Sequence, residues 1–193
     1  MRKDADMSAV PMRRRQFSTA DYHRMGEAGI FEGGPRVELI EGEVVEMCPI
    51  GSRHVGCVNA LNKLLVMQCG NDAIVQVQGP IHLDDYSEPE PDFLVLRHQA
   101  DFYRGAHAEP PDTLLAIEVA DSSLSFDRKV KAPLYAARGV RELWIVSLVE
   151  DAIDVYSEPH SEGYRLMRRA MRGDRLRLPL PGERDCSVED ILG

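Results

Sequence analysis

Three short runs in this chain are apolar at nearly every position: F-L-V-L at 93–96, L-L-A-I-E-V-A at 114–120 and L-W-I-V-S-L-V at 143–149. Runs of this length read as strands rather than helices. The last is apolar on both of its faces, which is expected of a central strand covered on both sides. A chain carrying such strands folds as a sheet with layers packed on either face. The segments between them supply candidate layers. Ser18-Thr19-Ala20-Asp21 offers an N-cap to a short helix that ends at Gly29. V-E-L-I-E-G-E-V-V-E-M at 37–47 reads as a hairpin turning at Glu41-Gly42. Ser52 is placed to cap a helix with an apolar stripe of Val55, Val58, Leu61 and Leu65, closed by Gly70. A-I-V-Q-V-Q-G-P-I-H-L at 73–83 reads as a strand broken at Gly79-Pro80, and a second helix runs from about Asp127 to Arg138 before Gly139. Further strands are expected at 152–156 and in a hairpin within 163–180, with a terminal turn at V-E-D-I-L. The order predicts an α/β (α+β) architecture, a mixed β-sheet flanked by helices.

Two of the apolar strands carry an acid. Asp92 opens the strand after E-P-E-P, and Glu118 sits between Ile117 and Val119. A carboxylate in an apolar strand is costly unless it is paired or bound to a cation. Asp92 has two readings, a solvated acid at a strand edge or a functional group at a strand end, where such groups gather in α/β sheets. Glu118, placed by alternation on the face of Leu114 and Ala116, is either paired with an arginine or turned into a cleft. If both acids converge they can hold Mg²⁺ or Mn²⁺, with the carbonyl of Val119 as a further oxygen.

Lysines follow in D-R-K-V-K-A-P-L-Y-A-A-R-G. Lys131 shares a helical stripe with Asp127, Val130, Leu134 and Tyr135. It can reach a cleft and hold a scissile phosphate, or pair with Asp127 at i, i+4. Pro133 removes a backbone donor and bends or resets this helix. Lys129, on the Ala132/Ala136 side, looks more exposed and is carried as a substrate-binding candidate. Glu38 in the hairpin is a candidate third acid, and His54 at a helix start a candidate phosphate contact. Both also read as ordinary polar positions, and Glu90 is read as a solvated acid.

Composition narrows the setting. The 193 residues fit one domain, expected at 16–193 after a flexible arm at 1–15 that contains M-R-R-R. Hydrophobic residues are 44% and charged residues 28%, ordinary for a globular chain. No apolar stretch is long enough to cross a bilayer, and no secretion signal is seen, so no membrane partner and a cytoplasmic location are expected. Cys48, Cys57, Cys69 and Cys186 lack C-x-x-C spacing and read as reduced thiols. A net charge of −9 disfavours broad nonspecific binding to nucleic acid but leaves room for a local groove with a bound cation.

Taken together and in order, R-V-E-L-I-E-G-E-V-V-E-M, G-S-R-H, S-E-P-E-P-D, L-L-A-I-E-V-A-D-S-S, F-D-R-K-V-K-A-P-L-Y-A-A-R-G-V and E-L-W-I-V resemble the Uma-two family of bacterial endonucleases. That family is a branch of the PD-(D/E)XK restriction-endonuclease-like superfamily. The resemblance runs from about Phe17 to Tyr156 and more weakly to the C-terminus. It implies a restriction-endonuclease-like core and a metal-dependent endonuclease acting on DNA, with Asp92 and Glu118 as the first and second acids of the motif. The lysine usual two residues after the second acid falls at Ala120, and the resemblance places it instead at Lys131. Glu38 and His54 fall on the family's recurring acid and histidine. Ser147 stands where aspartate is common, and A-D-S-S replaces a proline-containing turn. A homodimer would suit cutting both strands of a duplex. The rival expectation is a nuclease fold that binds nucleic acid or a protein partner without cutting.

Overall fold

The computed structural model describes residues 14–193. Most of the N-terminal arm expected at 1–15 therefore lies outside the described residues. Arg14 and Arg15 are exposed, and Arg14 reaches Glu43 at 3.1 Å.

Helix α1 (Thr19–Glu27) begins at a capping box, in which Ser18 Oγ accepts from the Asp21 N–H and the Asp21 carboxylate accepts from the Ser18 N–H. Strands β1 (Val37–Ile40) and β2 (Glu43–Glu46) form the expected hairpin. Its turn needs two residues with positive φ, and Glu41 and Gly42 take +48° and +80°. Helix α2 (Ser52–Cys69) follows, closed by Gly70. The six-stranded sheet is then laid down as β3 (Ala73–Val77), β4 (Phe93–Arg97), β5 (Thr113–Ala120), β6 (Glu142–Ser147), β7 (Ala152–His160) and β8 (Gly163–Met171), in spatial order β3-β4-β5-β6-β7-β8. Every pair is antiparallel except β5 with β6. Strands β9 (Arg175–Arg177) and β10 (Asp185–Ser187) pair separately, and α5 (Val188–Leu192) ends the chain.

The parallel pair organises the molecule. Parallel neighbours cannot be joined by a tight turn, so the chain must cross over one face of the sheet. It does so through α3 (Leu124–Phe126), a π-helical segment (Asp127–Lys131) and α4 (Ala132–Ala137). Two cores result, one on each face. Phe93, Val95, Ile117, Val119, Trp144 and Val146 pack on α2 and the C-terminal elements. Leu94, Leu96, Ala116, Ala120, Leu143 and Ile145 pack on α4 and on Ile40, Ile81 and Leu83. Strands β4, β5 and β6 are thus buried on both faces, as their composition predicts.

Four expectations need correction. No hairpin forms within 163–180, because β8 pairs with β7 and β9 with β10. Of the stripe expected on α2, Leu61 and Leu65 are buried and Val58 packs against the same core, joined by Cys57 and Cys69, but Val55 is 44% exposed. The helix is also preceded by Gly51 as its N-cap, with Ser52 as the first helical residue and no side-chain cap. Leu114 does not share the face of Glu118. Val95 pairs with Leu115 but Leu96 pairs with Thr113, so Leu114 is the extra residue of a bulge and packs on the opposite core. Ala116 and Ala120 keep the face of Glu118. The cysteines are free, with Cys48 exposed and the other three buried. Among the described residues no helix is long and apolar enough to cross a membrane.

Candidate functional site

A cleft of about 380 Å³ opens at the end of β5 where β4 has not yet begun. Asp92 immediately precedes β4. The β4–β5 register runs out at Phe93 opposite Ile117, so the Val119 N–H has no strand partner. The Asp92 carboxylate takes its place, with Oδ2 accepting that N–H at 2.8 Å. The Gln78 amide donates to Oδ1 at 3.2 Å, and His54 Nε2 lies 3.2 Å from Oδ2. Burial works against ionisation of Asp92, but the hydrogen bond and charge of His54, with Val119 and Gln78, hold its carboxyl below the ordinary value. In return the hydrogen bond to Asp92 raises the His54 pKa against burial. The carbonyl of a strand residue leaves on the same side as its N–H, so the Val119 carbonyl faces the same gap.

Glu118 points the other way, onto the face covered by the crossover, and is 4% exposed. Its Oε1 accepts from Tyr135 Oη at 2.8 Å and from Lys131 Nζ at 3.2 Å. Lys131 Nζ also lies 2.9 Å from Glu38 Oε2 on β1, and that oxygen accepts the Glu90 N–H at 3.1 Å. One buried ammonium thus joins a sheet strand to the hairpin. Burial pushes Glu118 well above the usual carboxylate range; Lys131 opposes this, while Asp127, Asp92 and Glu38 add to it. Burial also works against the Lys131 charge, but Glu118, Glu38 and Asp127 outweigh it and hold the amine protonated. Tyr135 stays a neutral phenol, its pKa raised by burial and by Glu118.

The crossover helix explains the aim of Lys131. Pro133 has no N–H to give the preceding turn, and its ring crowds the carbonyl four residues back. The turn before it is widened, with the Ala132 N–H bonded to the Asp127 carbonyl. Asp127 and Lys131 both turn inward and are 2% and 4% exposed. Their side chains do not pair with each other as i, i+4 spacing allows. Asp127 accepts from Ser123 Oγ at 2.6 Å, and its carboxyl is raised by burial against the pull of Lys131.

Of the residues singled out in the sequence, Asp92, Glu118, Val119, Lys131, Glu38 and His54 line this cleft. Lys129 does not. It is exposed and borders a separate hollow with Glu41, Pro133 and Arg138, because the residue two before Lys131 leaves the helix on its outer side. Glu90, read as a solvated acid, lines the cleft and is held by Arg36 at 2.5 Å. Gln78 and Tyr135 were not singled out as site residues. Tyr135 lies one helical turn beyond Lys131, a spacing that marks it. Gln78 carries no sequence signal, since its φ of +46° at the end of β3 is what brings it to Asp92.

Asp92, Glu118, the Val119 carbonyl and Asp127 offer oxygen only, the donor type that hard divalent cations take, though the three acids do not bring ligand atoms within 4.8 Å of one another.

Comparison with known proteins bears on the family and the fold. Residues 19–189 match the family model Uma2, described as "Putative restriction endonuclease". No curated protein matches the chain. Among solved structures, the chain is similar to the crystal structure of a "putative nuclease belonging to DUF820" from Anabaena variabilis ATCC 29413. The TM-score is 0.57 at 16% identity, covering 82% of this chain and 90% of that one, a likeness of fold.

Proposed function

Because the chain belongs to the Uma2 family, we propose that its cleft is the active site of a metal-dependent endonuclease hydrolysing DNA phosphodiester bonds. The observation that carries this reading is the meeting of Asp92, Glu118, Glu38 and Lys131, from four separate segments, around one cleft. Asp92, Glu118 and the Val119 carbonyl would hold Mg²⁺ or Mn²⁺. When bound, such an ion polarises a phosphate oxygen and eases ionisation of a water.

The chain's own groups do the rest. Lys131, kept charged by Glu118 and Glu38, offers a fixed positive group to charge developing on the phosphate. Tyr135 holds Glu118 and the Glu90 N–H holds Glu38, the two partners of that lysine. His54 lies in the first turn of α2, and Gly51 at its N-cap also borders the cleft. Free backbone N–H groups at a helix start favour an anion, which supports a phosphate contact there. Seven carboxylates line the cleft, Glu38, Glu46, Glu90, Asp92, Glu118, Asp121 and Asp127, against Arg36, Lys131 and His54. A polyanionic strand meets repulsion in such a lining unless cations enter with it, which supports a divalent ion as part of substrate binding.

A second reading is favoured by one observation: Lys131 is already engaged by two carboxylates, and Ala120 offers no other amine. On that reading the fold binds nucleic acid or a protein without cutting. Calorimetric titration of Mn²⁺, followed by a panel of duplex DNA, single-stranded DNA and RNA, separates the two. Cleavage of DNA together with Mn²⁺ binding that is lost in Asp92→Asn is the expected result. Absence of both in the wild type would leave the binding reading. We extend the proposal to a cytoplasmic homodimer, since two-fold symmetry matches two strands of a duplex; sedimentation equilibrium reads the dimer directly.

A further inference from the structure

A second set of metal-capable side chains gathers outside the cleft. His23 on α1, Glu88 before β4 and His107 before β5 place ligating atoms within 4.8 Å of one another. Among the described residues this is the one such group of three or more His, Cys, Asp or Glu side chains. Glu88 is its centre. It is 3% exposed, and its backbone is fixed by an N–H donated to the Leu39 carbonyl at 2.8 Å. Its Oε1 lies 2.6 Å from His23 Nε2. Its Oε2 is buried without a hydrogen-bond partner, and the nearest basic group is His82 Nδ1 at 3.6 Å. A buried carboxylate oxygen with no donor is unfavourable and calls for a cause, of which a bound ion is one. The His23 and His107 rings stand 6.1 Å apart and are exposed, so an ion can enter from solvent.

We propose that His23, Glu88 and His107 form a binding site for a divalent transition-metal ion of the zinc class, the ion supplying the partner that Glu88 Oε2 lacks. Two imidazoles and one carboxylate are a donor set for such ions, unlike the oxygen-only lining of the cleft. The site would fasten α1 and the chain before β5 to the segment leading to Asp92. Leu39, the backbone partner of Glu88, directly follows Glu38, so the fastening would also steady β1 beside Lys131.

The full chain, stripped with chelator and dialysed, is titrated with ZnCl₂, and bound metal is read by atomic emission. The titration is run in the Glu118→Gln background as well, so that uptake by the cleft is not counted. The expected result is one Zn²⁺ per chain that persists in Glu118→Gln and is lost in both His107→Ala and His23→Ala. His82→Ala, which removes a ring 3.6 Å from Glu88 without removing a ligand, should keep that stoichiometry. Substituting Co²⁺ should give a visible absorption band in the wild type that is missing in His107→Ala. Both histidines are exposed, and matching metal-free circular dichroism shows that the variants fold. The proposal is overturned if the wild type takes up no Zn²⁺, or if His107→Ala and His23→Ala bind as much as the wild type. Neither result bears on cleavage at Asp92 and Glu118.

Discussion

Glu118 is held in the fold at a cost. Its carboxyl is raised above the ordinary value of 4.5, first by burial, despite the neighbouring Lys131. A carboxyl raised on folding contributes stability that is fully present below its unfolded pKa and lost as pH rises through its folded pKa. The metal-free wild type should therefore lose stability from about pH 4.5 upward through this group. Glu118→Gln should melt higher than the wild type at pH 8 in chelator, and the difference should vanish near pH 4.5. A lower melting temperature at pH 8 would show that the Lys131 pair outweighs burial. Lys131→Met leaves Glu38 and Glu118 buried without their cation, and it should cost about 3–5 kcal/mol in denaturant unfolding at neutral pH. At this scale the sequence was legible where a charge stood in an apolar run. The acid of L-L-A-I-E-V-A and the lysine of its helix could each be noticed, but their partners could not. Spacing offers Asp127 to Lys131, whereas the fold supplies Glu38 and Glu118 through contacts across β1 and β5.

At the scale of elements, the site depends on two local distortions. The first is the hairpin turn, where Gly42 sits at φ +80° and a Cβ would come within 2.6 Å of the Gln16 Cβ. Gly42→Ala should destabilise the protein by about 1–3 kcal/mol, read as a fall in denaturant midpoint, because both the backbone and the packing oppose it. The second is the widened turn before Pro133. Pro133→Ala restores a backbone donor and lets the segment rewind toward regular α-helix, which would rotate Lys131 away from Glu118. Losing the buried Lys131–Glu118 pair should cost up to about 3–5 kcal/mol, offset by about 3 kcal/mol from removing an interior proline, so the net change in denaturant unfolding should be small. Cleavage should fall up to about a hundredfold, the cost of a small misplacement of the group proposed to act on the phosphate. Gly42 was readable from the E-G dipeptide between apolar runs. The π-helical segment was not, because a proline announces a disturbance without saying how the preceding turn absorbs it. The stripe of α2 was read correctly at Val58, Leu61 and Leu65 and wrongly at Val55. Val55 fits the helical period, but the core takes the face that also carries Cys57, and His54 lies beside Asp92.

For the whole molecule, the parallel β5–β6 pair and its crossover decide where chemistry can occur. The crossover lays Lys131 over Glu118, and the early end of β4 leaves Asp92 to bond the Val119 backbone. The mixed sheet was foreseeable from strands apolar on both faces. Strand order was not, since it rests on contacts between segments distant in sequence. Residues 16–193 are proposed to act as one folding unit, so a single cooperative unfolding transition is expected, with near-ultraviolet and far-ultraviolet signals coincident. A cleft that binds Mn²⁺ should raise stability by about 2.7 kcal/mol at a hundredfold excess over the dissociation constant, and Asp92→Asn should remove that gain. These residues are proposed to form a metal-dependent active site. The site is tested most directly by nicking of supercoiled plasmid in Mg²⁺ or Mn²⁺ by the wild type, Glu118→Gln and Lys131→Ala. The expected result is cleavage by the wild type that disappears with chelator and in both variants. Cleavage that continues unchanged in both would contradict it.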